Sequence, residues 1–355
     1  MNVGWVNKQF EDCVDKVTYT NKIQRSDFLE TGKIPVVSQE QGLINGYWDD
    51  LKDVFKVKKP VVVFGDHTRI IKYVDFDFVL GADGVKVLLP TSDLNTRYFY
   101  YFMLSLEIKQ LGYARHYRVL KESLVPVPPL SEQKQIVSIL DEVFEGIAKA
   151  KVNAEKNLAN AREMFESYLQ SIDAEKKDLG LLVDIKTGKL DANAAVENGE
   201  YPFFTCAREI YAIDKYAFDC EAILLAGNNA VGDFNVKHYA GKFNAYQRTY
   251  VLTIKEKDKV IYRYLYYQLL RSLKEFKAKS VGAGTKFLKI GMIQNFQLAL
   301  PSIDQQKTIV SKLDKLAELR NQLENIYLNK IEDFEELKKS ILQKAFSGDL
   351  IRRAS

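Results

Sequence analysis

Two short stretches come nearest to the spacing of a reactive site. Gly282-Ala283-Gly284-Thr285-Lys286 has the glycines and lysine of a phosphate cradle, and Pro128-Pro129 is the one paired proline in the chain. Neither completes its chemistry. A nucleotide-binding P-loop needs four residues between its first glycine and a Gly-Lys-Ser/Thr ending, which occurs nowhere here. An adenine methyltransferase needs Asn or Asp before paired prolines and an aromatic after them, and here the flanking residues are Val127 and Leu130. His67, His116 and His238 lie far apart in the chain, with no metal-ligand spacing and no evident triad. Cys13, Cys206 and Cys220 are odd in number and widely spaced, so they read as small buried hydrophobes, not as a disulfide frame or a zinc site. Acid-lysine strings such as Glu256-Lys257 lack the partners a nuclease requires. The expectation is a chain with no catalytic residue and no metal ligand.

The elements around these stretches are organised by a repeat. Residues 128–141 read PPLSEQKQIVSILD and residues 301–314 read PSIDQQKTIVSKLD. At an offset of 173 residues, Gln133, Ile136, Val137, Ser138, Leu140 and Asp141 recur as Gln306, Ile309, Val310, Ser311, Leu313 and Asp314. A repeat of this kind governs the fold and is read before anything else. Each phrase opens a helical pattern. The first stripe runs Ile136, Leu140, Val143, Ile147, Ala150, Ala154, Leu158, Ala161, Phe165, Tyr168 and Ile172; the second runs Ile309, Leu313, Leu316, Leu323, Tyr327, Phe334, Leu337 and Ile341. Prolines stand just before each helix, and Gly348 is a stop signal after the second. About 40 residues at about 1.5 Å each make a rod of about 60 Å. A narrow stripe on such a rod needs a partner, and the other helix supplies one, so an antiparallel, coiled-coil-like pair is expected.

The segments before the helices also correspond. Residues 32–38, GKIPVVS, parallel residues 199–205, GEYPFFT, and the aromatic run after Arg97 parallels that after Arg263. Setting Leu120-Lys121 on Leu288-Lys289 aligns residues 114–118 with 282–286. VVVFGD (61–66), AILLAGN (222–228) and TYVLTI (249–254) read as strands, and TRYFYYFMLSL and IYRYLYYQLL as one short amphipathic helix per half. The layout is therefore two strand-rich domains, 1–128 and 178–300, each followed by a long helical segment, 129–177 and 301–355. The fold class is α+β/α/β, with the two long helices packed as that antiparallel coiled-coil-like pair. Hydrophobic residues at 46% and charged residues at 28% suit a soluble globular protein. No apolar run reaches the roughly 20 residues of a membrane span, and the N-terminus lacks the apolar core of a signal peptide, so the expected place is the cytoplasm. The net charge is +4. The helical segments carry −2 and +1, so the positive excess lies in the domains.

The doubled phrase at this spacing, with residues 32–49 and 198–209 as domain openings, resembles the specificity subunits of type I restriction-modification systems. The second copy departs from the first where Asp304-Gln305 replaces Ser131-Glu132. The resemblance covers essentially the whole chain and implies two target-recognition domains on conserved helices, related by pseudo-twofold symmetry. It implies a non-catalytic subunit that binds a bipartite double-stranded DNA sequence, one half per domain, with the helices setting the unread gap. It also implies docking of two modification subunits, which methylate adenine using S-adenosylmethionine, and of restriction subunits that use ATP and magnesium.

Phosphate contacts come from Lys and Arg, and base contacts from Arg, Asn, Gln and Lys. In the first domain the candidates are Gln39 and Gln41 in the loop after the GKIPVVS strand, His67 and Arg69 in a turn, and Arg115, His116 and Arg118. In the second they are Lys189, Arg208, Asn228, Asn229 and Lys286, with Gln247 and Arg248 as secondary positions near the same groove. A solvated loop is the plain alternative for each cation, and a turn for the asparagines. For the whole chain the alternatives are a nuclease or stand-alone methyltransferase, which lacks its motifs, and a coiled-coil scaffold that does not touch DNA.

Overall fold

The computed structural model describes residues 4–82, 84–109 and 115–351. Seven α-helices are present among them: α1 (Thr96–Ser105), α2 (Tyr117–Lys121), α3 (Leu130–Gln170), α4 (Leu179–Leu182), α5 (Tyr262–Lys279), α6 (Ile290–Gln294) and α7 (Ile303–Ser347). The chain forms two compact units, residues 1–154 with 329–355 and residues 155–328, so each unit contains part of α3 and part of α7. No helix among the described residues is long and apolar enough to cross a membrane.

In the first unit, Val61–Gly65 pairs antiparallel with Val85–Pro90 on one side and Ile71–Val74 on the other, which forms the centre of a four-stranded sheet. A mixed five-stranded sheet holds Ile34–Val37 parallel to Phe78–Gly81 and antiparallel to Gly46–Trp48. In the second unit one six-stranded sheet runs in the order Val183–Thr187, Thr249–Ile254, Phe218–Ala226, Val236–Ala245, Tyr201–Phe204, Tyr211–Ile213. The expected strands at 61–66, 222–228 and 249–254 are all present. Each unit also has a two-stranded antiparallel pair leading into its long helix: Val6–Gln9 with Leu124–Val127, and Lys176–Asp178 with Gln297–Ala299.

The repeated phrase has a specific physical job. Gln133 is fully buried at the start of α3. Its Nε2 donates to the carbonyls of Asp93 and Pro128, both at 2.8 Å, and its Oε1 accepts from Asn95 N at 2.7 Å. Gln306 at the start of α7 is also fully buried and repeats the pattern. Its Nε2 donates to the carbonyls of Lys259 and Pro301 at 2.8 and 2.9 Å, and its Oε1 accepts from Ile261 N at 3.0 Å. Asn95 and Ile261 are the N-caps of α1 and α5. One amide thus ties two helix starts together and satisfies three backbone groups. Two turns on, Arg97 Nε donates to Asp141 Oδ1 at 3.0 Å, and Arg263 Nε to Asp314 Oδ1 at 2.7 Å. Tyr101 and Tyr267 hydroxyls donate to those same carboxylate oxygens. Ile136, Leu140 and Leu313 are fully buried beneath them.

Each unit brings the opposite ends of α3 and α7 together, antiparallel as the stripes require. In the first, Lys151 Nζ meets Glu335 Oε1 at 3.0 Å, and Phe346 packs on Tyr98 and Phe102. In the second, Arg162 Nε meets Glu324 Oε1 at 2.8 Å, and Arg320 stacks on Phe165. Three details differ from the sequence reading. Helix α3 stops at Gln170, before Ile172, because Lys176–Asp178 is drawn into its strand pair. Leu337 is 44% exposed, and Leu342 takes its place in the core. The short helices α2 and α6 stand at the same 173-residue offset as the phrase, so Leu120 is matched by Ile293, both fully buried, and not by Leu288. Gly348 does end α7: its φ of 83° is left-handed, and the amides of Asp349 and Leu350 return to Lys344 O at 3.0 and 3.1 Å.

The glutamine amides should therefore dominate the stability of each joint. Gln133→Ala leaves a partly buried amide and two carbonyls without the glutamine, at about 1–3 kcal/mol per group before relaxation and water entry. A net loss of about 2–4 kcal/mol is expected, with Gln306→Ala equivalent. Thermal denaturation checks this; an unchanged midpoint would show that water replaces the amide at no cost.

Candidate nucleic-acid interface

The loop after the GKIPVVS strand is built by its own polar residues. Ser38 Oγ accepts from Glu40 N at 3.2 Å, a side-chain turn that starts the loop. Asn45 closes it. Its Oδ1 accepts from Ser38 N and Ser38 Oγ, both at 2.9 Å, and its Nδ2 donates to Gln41 O at 2.7 Å. The turn at 65–70 packs against this loop: His67 N donates to Gln39 Oε1 at 3.2 Å, and Thr68 Oγ1 to Gln39 O at 2.5 Å. Gly84, at φ 77°, lets a third segment approach, because a Cβ there would lie 2.7 Å from His67 Cδ2 and 2.8 Å from Gln39 Oε1. Gln39 and His67 are thus half-buried neighbours, and Gln41 is exposed at the loop crest.

The other first-unit candidates separate. Arg115 and Arg118 are exposed, on and just before α2, while residues 110–114 of the same segment lie outside the described residues. Arg69 sits at a left-handed φ of 62° and donates through Nη1 to Ile108 O at 2.8 Å, so part of its guanidinium is committed to the segment after α1. His116 corrects the sequence reading. It is fully buried, its Nδ1 lies 2.9 Å from Asp66 O, and its own amide donates to that carbonyl. The neighbouring Tyr117 N donates to Asp66 Oδ1 at 2.8 Å. His116 therefore anchors α2 to the turn after Val61–Gly65 and presents no ring to a ligand.

In the second unit the candidates form one connected patch. Asn228 and Asn229 pair in register with Phe287 and Lys286. Asn229 Oδ1 accepts from Val231 N and Asp233 N, each at 2.9 Å, so its side chain shapes a turn. Arg208 Nη2 meets Asp233 Oδ2 at 2.6 Å, and the hydrogen bond from Arg208 holds that carboxyl below the usual aspartate range. Arg248 stacks on Phe287 and its carbonyl accepts from Gly227 N, while Gln247 N donates to Leu190 O beside exposed Lys189. The patch therefore includes Lys189, Arg208, Asn228, Lys286 and the secondary positions Gln247 and Arg248. Lys286 belongs to a short strand and Arg118 to a helix, so the two loops once aligned through Leu120 and Leu288 are not equivalent.

Two lysines missed by the sequence reading complete the geometry. Lys72 is 5% exposed, and its Nζ donates to Asn45 Oδ1 at 2.7 Å. Burial pushes its pKa down to about 8, opposed by Glu40. Lys237 donates through Nζ to Ala207 O and Asn235 Oδ1, both at 2.6 Å, and burial lowers its pKa also. The available signal was period-2 alternation: Lys72 shares its strand face with fully buried Val74. Among the described residues, no group of three or more His, Cys, Asp or Glu side chains is arranged to hold a metal ion.

The family described as type I restriction modification DNA specificity domain matches residues 2–156 and again 172–333. The Type I restriction enzyme EcoDI specificity subunit of Escherichia coli is 44% identical over 145 residues, 41% of this chain and 31% of that subunit's length. The EcoR124I/EcoR124II specificity subunit of Escherichia coli is 23% identical over 338 residues, 85% of this chain and 83% of that subunit. Among solved structures, a chain from a type I R-M system, studied for complex assembly and conformational transition, gives a TM-score of 0.75 at 18% identity, covering 98% of this chain and 99% of that one. The HsdS subunit from Thermoanaerobacter tengcongensis gives 0.57 at 16% identity, covering 99% and 98%.

The depressed pKa of Lys72 has a measurable sign. Its folded value of about 8 lies below the ordinary 10.5, so across that window the unfolded chain binds more protons than the folded one. Stability contributed by this group therefore rises with pH from about 8 to about 10. Chemical denaturation of the wild type and Lys72→Met across this range should show the wild type gaining on the variant as pH increases. A constant difference would place the lysine at its ordinary value.

Proposed function

The chain belongs to the type I restriction modification DNA specificity family, and we propose that it serves as the DNA sequence-specificity subunit of such a system. The observation that carries this reading is the doubled family match, one copy per globular unit, each joined to its long helix through the same buried glutamine. Each domain, 1–128 and 178–300, reads one half of a bipartite, asymmetric DNA site. The helical segments 129–177 and 301–355 set the gap between the half-sites and dock two modification subunits. Adenine methylation with S-adenosylmethionine, and cleavage with ATP and magnesium, belong to the modification and restriction subunits, and this chain contributes recognition without catalysis. The complex works in the cytoplasm, where the DNA is.

Within each domain the roles divide by exposure and commitment. Exposed Arg115, Arg118 and Lys189, with half-buried Lys286, are the phosphate contacts, because an ammonium or guanidinium that meets solvent serves there without sequence information. Gln39, Gln41 and Arg208 on loops, and Asn228 on a short strand, are the base readers, offering donors and acceptors that neighbouring residues hold in place. Arg69, His67 and Asn229 shape the turns that bear them.

The direct test is adenine-methylation mapping by single-molecule sequencing, with this chain co-expressed beside its modification subunit in an unmethylated host. A split motif with an unread gap is expected. An assembled complex that adds no methylation would leave a scaffold as the better account. The phosphate contacts are tested separately: Arg118→Ala and Lys286→Ala should weaken binding to every sequence and reduce the slope of log affinity against log salt by about one each. An unchanged slope removes the residue from the phosphate set.

A further inference from the structure

The two units differ in sheet layout and in nearly all loop sequences, yet one device recurs beside the proposed reading loops. Both loops start after the paired Pro-containing strands Ile34–Val37 and Tyr201–Phe204. Both open with the same turn: Ser38 Oγ accepts from Glu40 N, and Thr205 Oγ1 accepts from Ala207 N, each at 3.2 Å. Both are then gripped by an asparagine. Asn45 Nδ2 donates to Gln41 O at 2.7 Å, and Asn235 Nδ2 donates to Cys206 O at 2.8 Å. In both, the carboxamide oxygen of that asparagine accepts from a strand lysine: Lys72, on a strand of the four-stranded sheet, at 2.7 Å, and Lys237, two residues beyond Asn235, at 2.6 Å. Lys237 also donates to the carbonyl of Ala207, immediately before Arg208.

We infer that Lys72 and Lys237 are positioning residues for sequence discrimination, each using an asparagine to lock the reading loop of its own unit onto the sheet. Lys72 is 5% exposed and cannot itself reach DNA. The ammonium of Lys237 is committed to two acceptors within the unit. Hydrogen bonds from a charged donor are about twice as strong as neutral ones, and stronger again where water is scarce. Taking an ammonium out of water is costly, as the lowered pKa of both lysines records, and a methionine of similar length would fill the same space without that cost. A lysine here does not suit stability as such. It suits a loop whose side chains must be held to within a fraction of an ångström to tell one base edge from another.

The inference rests on the assignment of these loops as readers, and one experiment separates the two. The full chain is co-expressed with its modification subunit, and methylation is mapped for the wild type, Gln39→Ala, Arg208→Ala, Lys72→Met, Lys237→Met and Lys72→Arg, with a melting curve for each. Lys72→Met should lower the preference for the correct over a singly altered base about tenfold, roughly one base contact. The loss should fall in the half-site that Gln39→Ala affects. The other half-site should stay faithful and the melting point should not fall. Lys237→Met should do the same in the half-site that Arg208→Ala affects, and Lys72→Arg, which keeps a charged donor, should recover part of the loss. Full discrimination in both methionine variants, beside relaxed Gln39→Ala and Arg208→Ala, overturns the positioning role. Equal relaxation of both half-sites, or relaxation that follows a lowered melting point, shows a general structural role and also overturns it. If Gln39→Ala and Arg208→Ala are themselves silent, the loop assignment fails, and the inference with it.

Discussion

A buried glutamine amide holds each globular unit to the long helix that follows it. Gln133 and Gln306 each satisfy the amide at a domain helix's N-cap, the carbonyl two residues before that cap, and a carbonyl at the proline that precedes the long helix. These groups lie at the N-terminal starts of two helices, where neither helix can supply partners of its own. Asp141 and Asp314, two turns further along, bind the arginine and tyrosine of the same domain helix. The joint therefore fixes both the position and the rotation of each long helix against its domain. A substitution at the amide cannot be absorbed by sliding, because three backbone groups and a carboxylate pair depend on one register.

This explains what repeats and what does not. The phrase is restated where the joint needs the same atoms, and the sheets are free to differ. The first unit splits its strands between four- and five-stranded sheets, and the second uses one sheet of six. Both still deliver an antiparallel strand pair and a short helix to the joint at the 173-residue offset. The variable parts attach through backbone hydrogen bonds and apolar packing, which tolerate exchange of side chains. The joint attaches through side-chain atoms, which do not.

Legibility in the sequence follows the same division. The stripes, the strands at 61–66, 222–228 and 249–254, and the stop at Gly348 are local patterns, and periodicity or turn chemistry is enough to read them. The meaning of Gln133 was not readable, because its partners at Asp93 and Asn95 lie about 40 residues away in sequence. The end of α3 was overstated because a strand partner at Gln297–Ala299 wins residues whose pattern alone would extend the helix. His116 looked like a loop residue among cations, and only the fold puts Asp66 beside it. Leu288 attracted the alignment because Leu-Lys occurs in both halves, whereas the matching positions of α2 and α6 select Ile293.

The candidate contacts show a further limit. A cation in a loop has the same sequence signature whether it faces solvent, braces a turn or meets a ligand. Structure separates these cases by commitment. Arg69 spends a donor on Ile108 O, Arg208 meets an exposed carboxylate that a stronger anion can displace, and Lys72 is only 5% exposed. An exchangeable ion pair at the surface costs little to break, since exposed pairs contribute about 0–1 kcal/mol. Arg208 can therefore leave Asp233 for a base or phosphate with little penalty. Lys72 could leave Asn45 only by disrupting the loop it holds. On the proposed assignment, reading and bracing fall to different residues for a reason of solvation: the reader must be easy to free, and the brace must not be.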